Sequence, residues 1–338
     1  MPTTRKIKGK NILITGGAGF IGSHLADELI SHEPGKLVVV DNFFLGKEEN
    51  LELAKNFPRF QLYRQDASHY GVMEDIIKKE KIDTVFNLAT KALLYSFVDP
   101  NDAYMVNVDI ASVLLQLLHK GYYENLVHFS SSEVYGTARY VPIDESHPMF
   151  PETLYAAGKA SADMIVQSYF RTFDLDISIV RPFNNYGPRQ NEGSYAAVIP
   201  ITVKRILNGE RPILEGDGKQ TRDFIFVGDT VRAALDIYKN RKTRGQVINI
   251  ATGKETTIKE IIQTICDVTE YNGPWEFKPK RVGDVRRHLG DISLAKKLIG
   301  FKPDTDLHDG LRETVGWYKT HLSSLDKNGR VSFSRLPN

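Results

Sequence analysis

Asn11-Ile12-Leu13-Ile14-Thr15-Gly16-Gly17-Ala18-Gly19-Phe20-Ile21-Gly22 is the stretch on which the fold turns. A short apolar run ends in spaced glycines and opens directly into the helical pattern Phe20–Ser31. Gly16 permits a tight turn, Gly19 lets the backbone approach a pyrophosphate, and Gly22 lets helix and strand pack closely. The helix start, with Phe20 and Ile21, then aims its free N–H groups and positive dipole end at the phosphates. Glycine spacing alone is weak, because ordinary turns use the same residue. Context strengthens it: a strand before, a helix after, and Asp41 closing the next apolar run, Leu37–Asp41. A carboxylate there accepts hydrogen bonds from a ribose 2′-hydroxyl and repels a 2′-phosphate, so the expected cofactor is NAD rather than NADP.

Working outward, further short apolar runs occur at Phe60–Arg64, Thr84–Leu88, Leu126–Ser130 and Ile177–Val180, most with helical patterns between them, such as Tyr155–Arg171. Strands of this length alternating with helices predict an α/β fold: a Rossmann-type doubly wound parallel sheet. From about Asn185 the elements shorten. A helix Val198–Leu207, a strand Ile213–Glu215, a capping box Thr257-x-x-Glu260 opening a helix to Thr269, and helices Asp291–Ile299 and Leu307–His321 suggest a smaller α/β C-terminal lobe. Phe224–Phe226, the helix Thr230–Tyr238 and Val247–Ile250 are expected to return to the first domain. The resulting division is 1–184 with return segments near 223–250 for the dinucleotide, 185–222 and 251–322 for the substrate, and a polar tail 323–338.

Composition excludes several classes. Lys plus Arg total 44 against 42 Asp plus Glu, with no block of like charge, so nucleic acid and anionic membrane are poor partners. No run of 18 apolar residues exists to span a bilayer, and the charged start at Arg5–Lys10 lacks a signal-peptide pattern. The single cysteine, Cys266, lies in an apolar helical face, excludes an internal disulfide, and suits a reducing, cytoplasmic setting. The nine histidines form no ligand-spaced cluster, so no metal is expected.

The chemistry concentrates in two segments. Tyr155-Ala156-Ala157-Gly158-Lys159 puts a phenol and an ammonium on one helical face. A tyrosine with a pKa near 10 is a poor base at neutral pH; lowering it by roughly 3 units takes about 4 kcal/mol from a neighbouring cation and an oxidised nicotinamide. That spacing recurs at Tyr238 and Lys242, so position decides. Upstream, Ser130-Ser131-Ser132-Glu133-Val134-Tyr135-Gly136 follows a predicted strand, at the sheet edge where ligands collect.

With these in place the chain resembles the extended branch of the short-chain dehydrogenase/reductase superfamily, the nucleotide-sugar epimerases and dehydratases. The likeness runs from about Lys10 to His321 and rests on Gly16/Gly19/Gly22, Asp41-Asn42, Asp66, Asn87-Leu88-Ala89, Ser131, Tyr155/Lys159, Arg181-Pro182-Phe183-Asn184 and Arg222-Asp223-Phe224. It implies that Tyr155 is the base, that Lys159 holds it and the nicotinamide ribose, and that Ser131 bonds the reacting hydroxyl. Asp66 and Ala67 would meet the adenine, with Asn42, Leu88 and Ala89 also against the cofactor. Asn184, Arg222, Arg281 and Arg286 would hold the diphosphate and nucleoside of the substrate, joined by Lys91 and Val198. The resemblance also implies a homodimer through helices Asp99–Lys120 and Leu154–Arg171. One departure is Asn87-Leu88-Ala89-Thr90-Lys91, where members commonly show His-Leu-Ala-Ala, and it puts substrate contacts from Lys91 to Ser96 in question.

Ser132 and Glu133 bear on which reaction follows. Members that only epimerise tend to carry alanine and a small hydroxyl residue there. A glutamate near C5 of a 4-keto sugar could take the C5 proton and help expel the 6-hydroxyl, which favours a 4,6-dehydratase acting on a nucleotide-sugar, UDP-linked in the first instance. The fit is partial, since dehydratases of the deoxythymidine-diphosphate type carry Asp-Glu and here Ser132 replaces the Asp. A UDP-sugar 4-epimerase is the alternative. UDP-glucuronate decarboxylase stands third, because His288 occupies the position where that family places an arginine ahead of Asp291-Ile292. A non-catalytic dinucleotide sensor would have no use for the Tyr155/Lys159 pair.

Overall fold

Seven parallel strands form the centre of the molecule, in a computed structural model that describes residues 4–280 and 285–325. They are β1 (Asn11–Thr15), β2 (Lys36–Asp41), β3 (Phe60–Arg64), β4 (Thr84–Asn87), β5 (Asn125–Phe129), β6 (Ile177–Pro182) and, later in the chain, β11 (Val247–Ile250). Their order across the sheet is β3-β2-β1-β4-β5-β6-β11. The chain starts in the middle, winds one way to β3, then crosses back to β4, so the switch point lies between β1 and β4. Crevices open beyond the carboxyl ends of strands at such a point.

The interior strands are buried on both faces and alternate between two cores. Leu13, Val38, Val85 and Leu126 meet α3 (Tyr70–Glu80), α4 (Pro100–His119) and α5 (Leu154–Phe173). Ile12, Ile14, Val39 and Val127 meet α1 (Phe20–Ser31) and α7 (Val227–Lys239), beyond the short α2 (Glu52–Lys55). The edge strand β3 is less covered, its residues being partly buried or exposed.

The second lobe packs α6 (Val198–Leu207), α8 (Ile258–Thr269) and α10 (Leu307–Leu325) together, with α9 (Ser293–Ile299) near β11. The capping box is present: Thr257 accepts from the Glu260 N–H while Glu260 accepts from the Thr257 N–H. Three small ladders complete it: β7 (Asn184–Tyr186) with β10 (Phe224–Phe226), β8 (Ile213–Glu215) with β13 (Glu276–Lys278), and β9 (Thr221–Arg222) with β12 (Thr256–Thr257). Phe224–Phe226 therefore does not enter the central sheet. Asp223, just before it, is fully buried and fastens the chain there by accepting from Thr252, Gly253 and Gly290. Asp291 likewise stays outside α9 and accepts from the Ser293 N–H.

Candidate active site

A cavity of about 690 Å³ runs from the glycine loop, across the carboxyl ends of β1, β4 and β5, to the second lobe. At its first end Gly16 has φ +70° and faces β4 so closely that a Cβ would stand 2.7 Å from the Ala89 nitrogen. No side chain caps α1, whose N-cap is Gly19, so the helix start opens on the cavity with Phe20, Ile21 and Gly22 in the wall. Uncapped N–H groups behind a cradle that tolerates no side chain suit a pyrophosphate. Asp41 ends β2 beside it, only 7% exposed, and accepts from the Ala18 N–H at 2.9 Å and the Phe43 N–H at 2.8 Å. Burial raises its pKa, against the pull of those two bonds. Asn42 donates to Asp66, and Asp66 also accepts from Ser68; these bonds outweigh burial and hold the Asp66 carboxyl below its ordinary range. Ala67, Leu88 and Ala89 complete this end, which fits a dinucleotide.

The other end brings together Ser131, Glu133, Tyr155 and Lys159. Thr153 caps α5 by accepting from the Ala156 N–H, which sets Tyr155 in the first turn and Lys159 in the second. Lys159 is 3% exposed and donates to the Phe129 carbonyl at 3.0 Å. Burial lowers its pKa to about 8, with the Asp163 charge opposing. The phenol goes the other way from what the Tyr/Lys pairing alone suggests. Burial pushes Tyr155 up to about 12; hydrogen bonds from Ser131 and Thr90 pull it down, while the Glu133 charge pushes it further up. Burial and the Glu133 charge thus outweigh the two hydroxyls, and a positive charge brought by the ligand would add to Lys159 in favouring the phenolate.

Beneath the pair lies a buried polar network. Asp163, fully buried, accepts from Arg181 and from Ser130, each at 2.6 Å. Arg181 also donates to the Tyr135 hydroxyl at 2.7 Å, and Tyr135 donates to Asn249. His128, pulled down to about 4 chiefly by burial, stands 3.7 Å from Asp163 and is held by Asn87 at 3.0 Å.

Asn184, Val198, Lys91 and Arg222 line the cavity. Lys91 is anchored to Asp102 at 3.2 Å and lies 3.8 Å from the centre of the Phe44 ring. Arg222 is 7% exposed and donates to the Val285 carbonyl at 2.6 Å. Two expectations part from the site. Ser132 is 2% exposed and faces away from the cavity, because the short turn Ser132–Tyr135 rotates it inward. Arg286 is on the surface, forked onto Asp217 at 2.9 and 3.1 Å, outside the wall. Arg281 lies outside the described residues. Sequence reading missed Thr90, Phe44 and Tyr195, all in the wall. Only Thr90 left a trace, as a departure from the family pattern.

The family model described as GDP-mannose 4,6 dehydratase matches residues 13–314. A putative UDP-glucose 4-epimerase of Methanocaldococcus jannaschii is 32% identical over 92% of this chain and 99% of its own. A UDP-N-acetylglucosamine 4-epimerase from Methanobrevibacter ruminantium, solved with UDP-N-acetylmuramic acid, superposes with a TM-score of 0.85 at 37% identity, covering 93% of this chain and 99% of its own. A dTDP-glucose 4,6-dehydratase from Streptomyces venezuelae, solved with NAD, superposes with a TM-score of 0.87 at 28% identity, covering 93% and 98%. UDP-glucuronic acid decarboxylases of Arabidopsis thaliana are similar at 32% identity. The likeness spans three reactions and singles out none of them.

Proposed function

The chain belongs to the GDP-mannose 4,6-dehydratase family of extended short-chain dehydrogenase/reductase enzymes acting on nucleotide-sugars, and from that premise we propose that it is an NAD-dependent 4,6-dehydratase of a nucleotide-sugar, UDP-linked in the first instance. The observation that carries this reading is Glu133 in the cavity wall beside Ser131 and Tyr155. Bound along the glycine cradle, NAD would supply a reversible store for hydride, taken from C4 and given back at C6 once the 6-hydroxyl has left, so that the sugar undergoes no net oxidation. Tyr155 takes the proton of the sugar 4-hydroxyl, with Ser131 bonded to that hydroxyl and the Lys159 ammonium favouring the phenolate. The resulting 4-ketone acidifies C5. Glu133 removes the C5 proton and, since Ser132 faces away, itself delivers a proton to the departing 6-hydroxyl, which leaves as water. Asn184, at the end of the dinucleotide domain, and Arg222, from the proposed substrate lobe 185–222 and 251–322, hold the diphosphate and nucleoside.

The inward Ser132 also favours a second reading, a 4-epimerase, because no separate acid stands ready for the leaving hydroxyl. Decarboxylation stays third: Arg287 is engaged by Glu255 at 2.6 Å, and His288 is buried outside the cavity. Incubation with a panel of UDP-, GDP- and dTDP-sugars, read by mass spectrometry and proton NMR, decides among them. Loss of water supports the dehydratase. An unchanged mass with inverted C4, or loss of carbon dioxide, overturns it. Exposed Met105, Leu154, Met164 and Phe173 on α4 and α5 support the homodimer, which sedimentation tests directly. Among the described residues no helix is long and apolar enough to cross a membrane, and a cytoplasmic site of action suits the lone buried Cys266.

A further inference from the structure

Thr90 follows β4 and is exposed into the cavity. Its hydroxyl donates to Asn107 Oδ1 on α4 at 2.7 Å and lies 3.1 Å from the Lys91 carbonyl. Asn107 is fixed in turn: it is 3% exposed and its Nδ2 donates to the Ala103 carbonyl at 2.9 Å. It packs where α5 has Gly158, whose missing Cβ would stand 3.3 Å from Asn107 Cβ, in the turn between Tyr155 and Lys159. Thr90 therefore lies in the same cavity wall as Ser131 and Tyr155, tied through Asn107 to the α5 turn that follows the phenol, and hydrogen bonding from Ser131 and Thr90 acts on Tyr155.

A threonine hydroxyl has one proton and two lone pairs, so it can donate to one neighbour while accepting from another. While Tyr155 is a phenol, the Thr90 proton rests on Asn107 and a lone pair is open to the phenol. Once Tyr155 is an anion, the same proton does better on the charged oxygen, because a hydrogen bond to an ion is roughly twice as strong as a neutral one. We propose that Thr90 is a further catalytic residue, whose hydroxyl turns from Asn107 to the Tyr155 oxygen as the phenolate forms and serves as its second donor beside Ser131. The Thr90 O–H bond stays intact throughout; only its acceptor changes. The charges that act on the phenol are those of Glu133 after β5 and Asp163 on α5, and the cations Lys159 and Lys91 line the same cavity, Lys91 paired with Asp102. None of them can switch between donating and accepting as a neutral hydroxyl does.

The inference rests on Tyr155 as the base but not on which sugar reaction follows, so its test needs no substrate. The NAD-loaded enzyme is titrated with base and the Tyr155 phenolate read by ultraviolet difference against Tyr155→Phe. Thr90→Val keeps the shape and removes the hydroxyl; it is expected to raise the phenol by about one pH unit, with NAD affinity and melting temperature unchanged. Thr90→Ser keeps the hydroxyl and is expected to titrate like the wild type. The proposal is overturned if Thr90→Val titrates with the wild type, if Thr90→Ser shifts as far as Thr90→Val, or if Thr90→Val loses NAD. A wild type that shows no titration beyond Tyr155→Phe would overturn Tyr155 as base together with Thr90. A normal titration series combined with an unexpected sugar product would fault only the reaction assigned above.

Discussion

Below the reacting end of the cavity, Lys159, Asp163, Arg181 and His128 are each no more than 3% exposed and come from one helix and two neighbouring strands. Above it, Phe44, Lys91, Tyr95 and Tyr195 come from three separate loops and touch only through rings and a cation: Phe44 and Tyr95 at 4.8 Å, Tyr95 and Tyr195 at 5.5 Å. The floor is positioned by sheet register and helix pitch and closed to water. The rim depends on loop backbone, some of it in unfavourable territory, since Phe43, Arg189 and Tyr195 all have positive φ without being glycine. Changes to the floor are therefore expected to stop chemistry or unfold the protein. Changes to the rim are expected to loosen what the cavity holds and leave the chemical step alone.

Tyr155→Phe draws this line most sharply. It removes the proton acceptor without disturbing the fold, and turnover is expected to fall by about 10²- to 10⁴-fold. Steady-state rates, set beside unchanged NAD binding, check it; retained turnover would dismiss Tyr155 as the base. One layer down, Asp163→Asn leaves the Arg181 guanidinium buried without its counter-charge. Breaking such a pair costs roughly 3–5 kcal/mol, read by denaturant unfolding. Asp163→Asn combined with Arg181→Met removes both charges and should recover much of that loss. No recovery would mean that packing rather than charge balance sets the floor.

How much of this the sequence discloses follows the same divide. The glycine loop and Asp41 are legible because they stand at fixed offsets within one strand–helix–strand unit, and Tyr155 and Lys159 because one turn of a single helix relates them, so that local geometry decides which residues share a face. Ser132 is misread for the complementary reason: a single short helical turn sends Ser132 inward and Glu133 outward, and adjacency in sequence does not show which faces the cavity. Arg286 carries the right charge but is claimed by Asp217, a partner 69 residues away. Phe44 and Tyr195 leave no local mark at all, because stacking between loops depends on the whole fold.

The ion pair under the rim offers an intermediate effect with a definite sign. Glu192 is 6% exposed, bonds Lys47 and lies 3.5 Å from His321, so it joins the loop after β2 to α10. Burial alone would raise its pKa, but His321 and Lys47 outweigh it and hold the carboxyl at about 2, against 4.5 ordinarily. A carboxyl lowered on folding stabilises the native state above its unfolded pKa and loses that contribution as pH falls through the folded one. The wild type should therefore shed roughly 2–3 kcal/mol between about pH 4.5 and pH 2 from this group. Glu192→Gln should start lower at neutral pH and lose less on acidification. Parallel stability curves for the two proteins would show that Glu192 is not held in this way.

Phe44→Ala sets the smallest effect and the closest test of the rim. Phe44 is 36% exposed, stacks with Tyr195 at 6.3 Å and meets Tyr95 at 4.8 Å, so its ring bridges loops from the dinucleotide end and the second lobe. Removing it takes away aromatic contacts worth about 1 kcal/mol and frees the Lys91 ammonium on one side, while Asp102 still holds that cation. If the rings hold the cavity shut over bound NAD, the cofactor should leave about fivefold faster, the rate equivalent of that energy. The chemical step should be unaltered, because the ring and cation contacts of Phe44 are with the rim residues Tyr95, Tyr195 and Lys91. Stopped-flow displacement of NAD, run beside single-turnover rates, separates the two. Faster release with an unchanged chemical step would place retention in the rim. A slower chemical step with unchanged release would mean that the rings shape the reacting end, and the contrast between floor and rim would fail there.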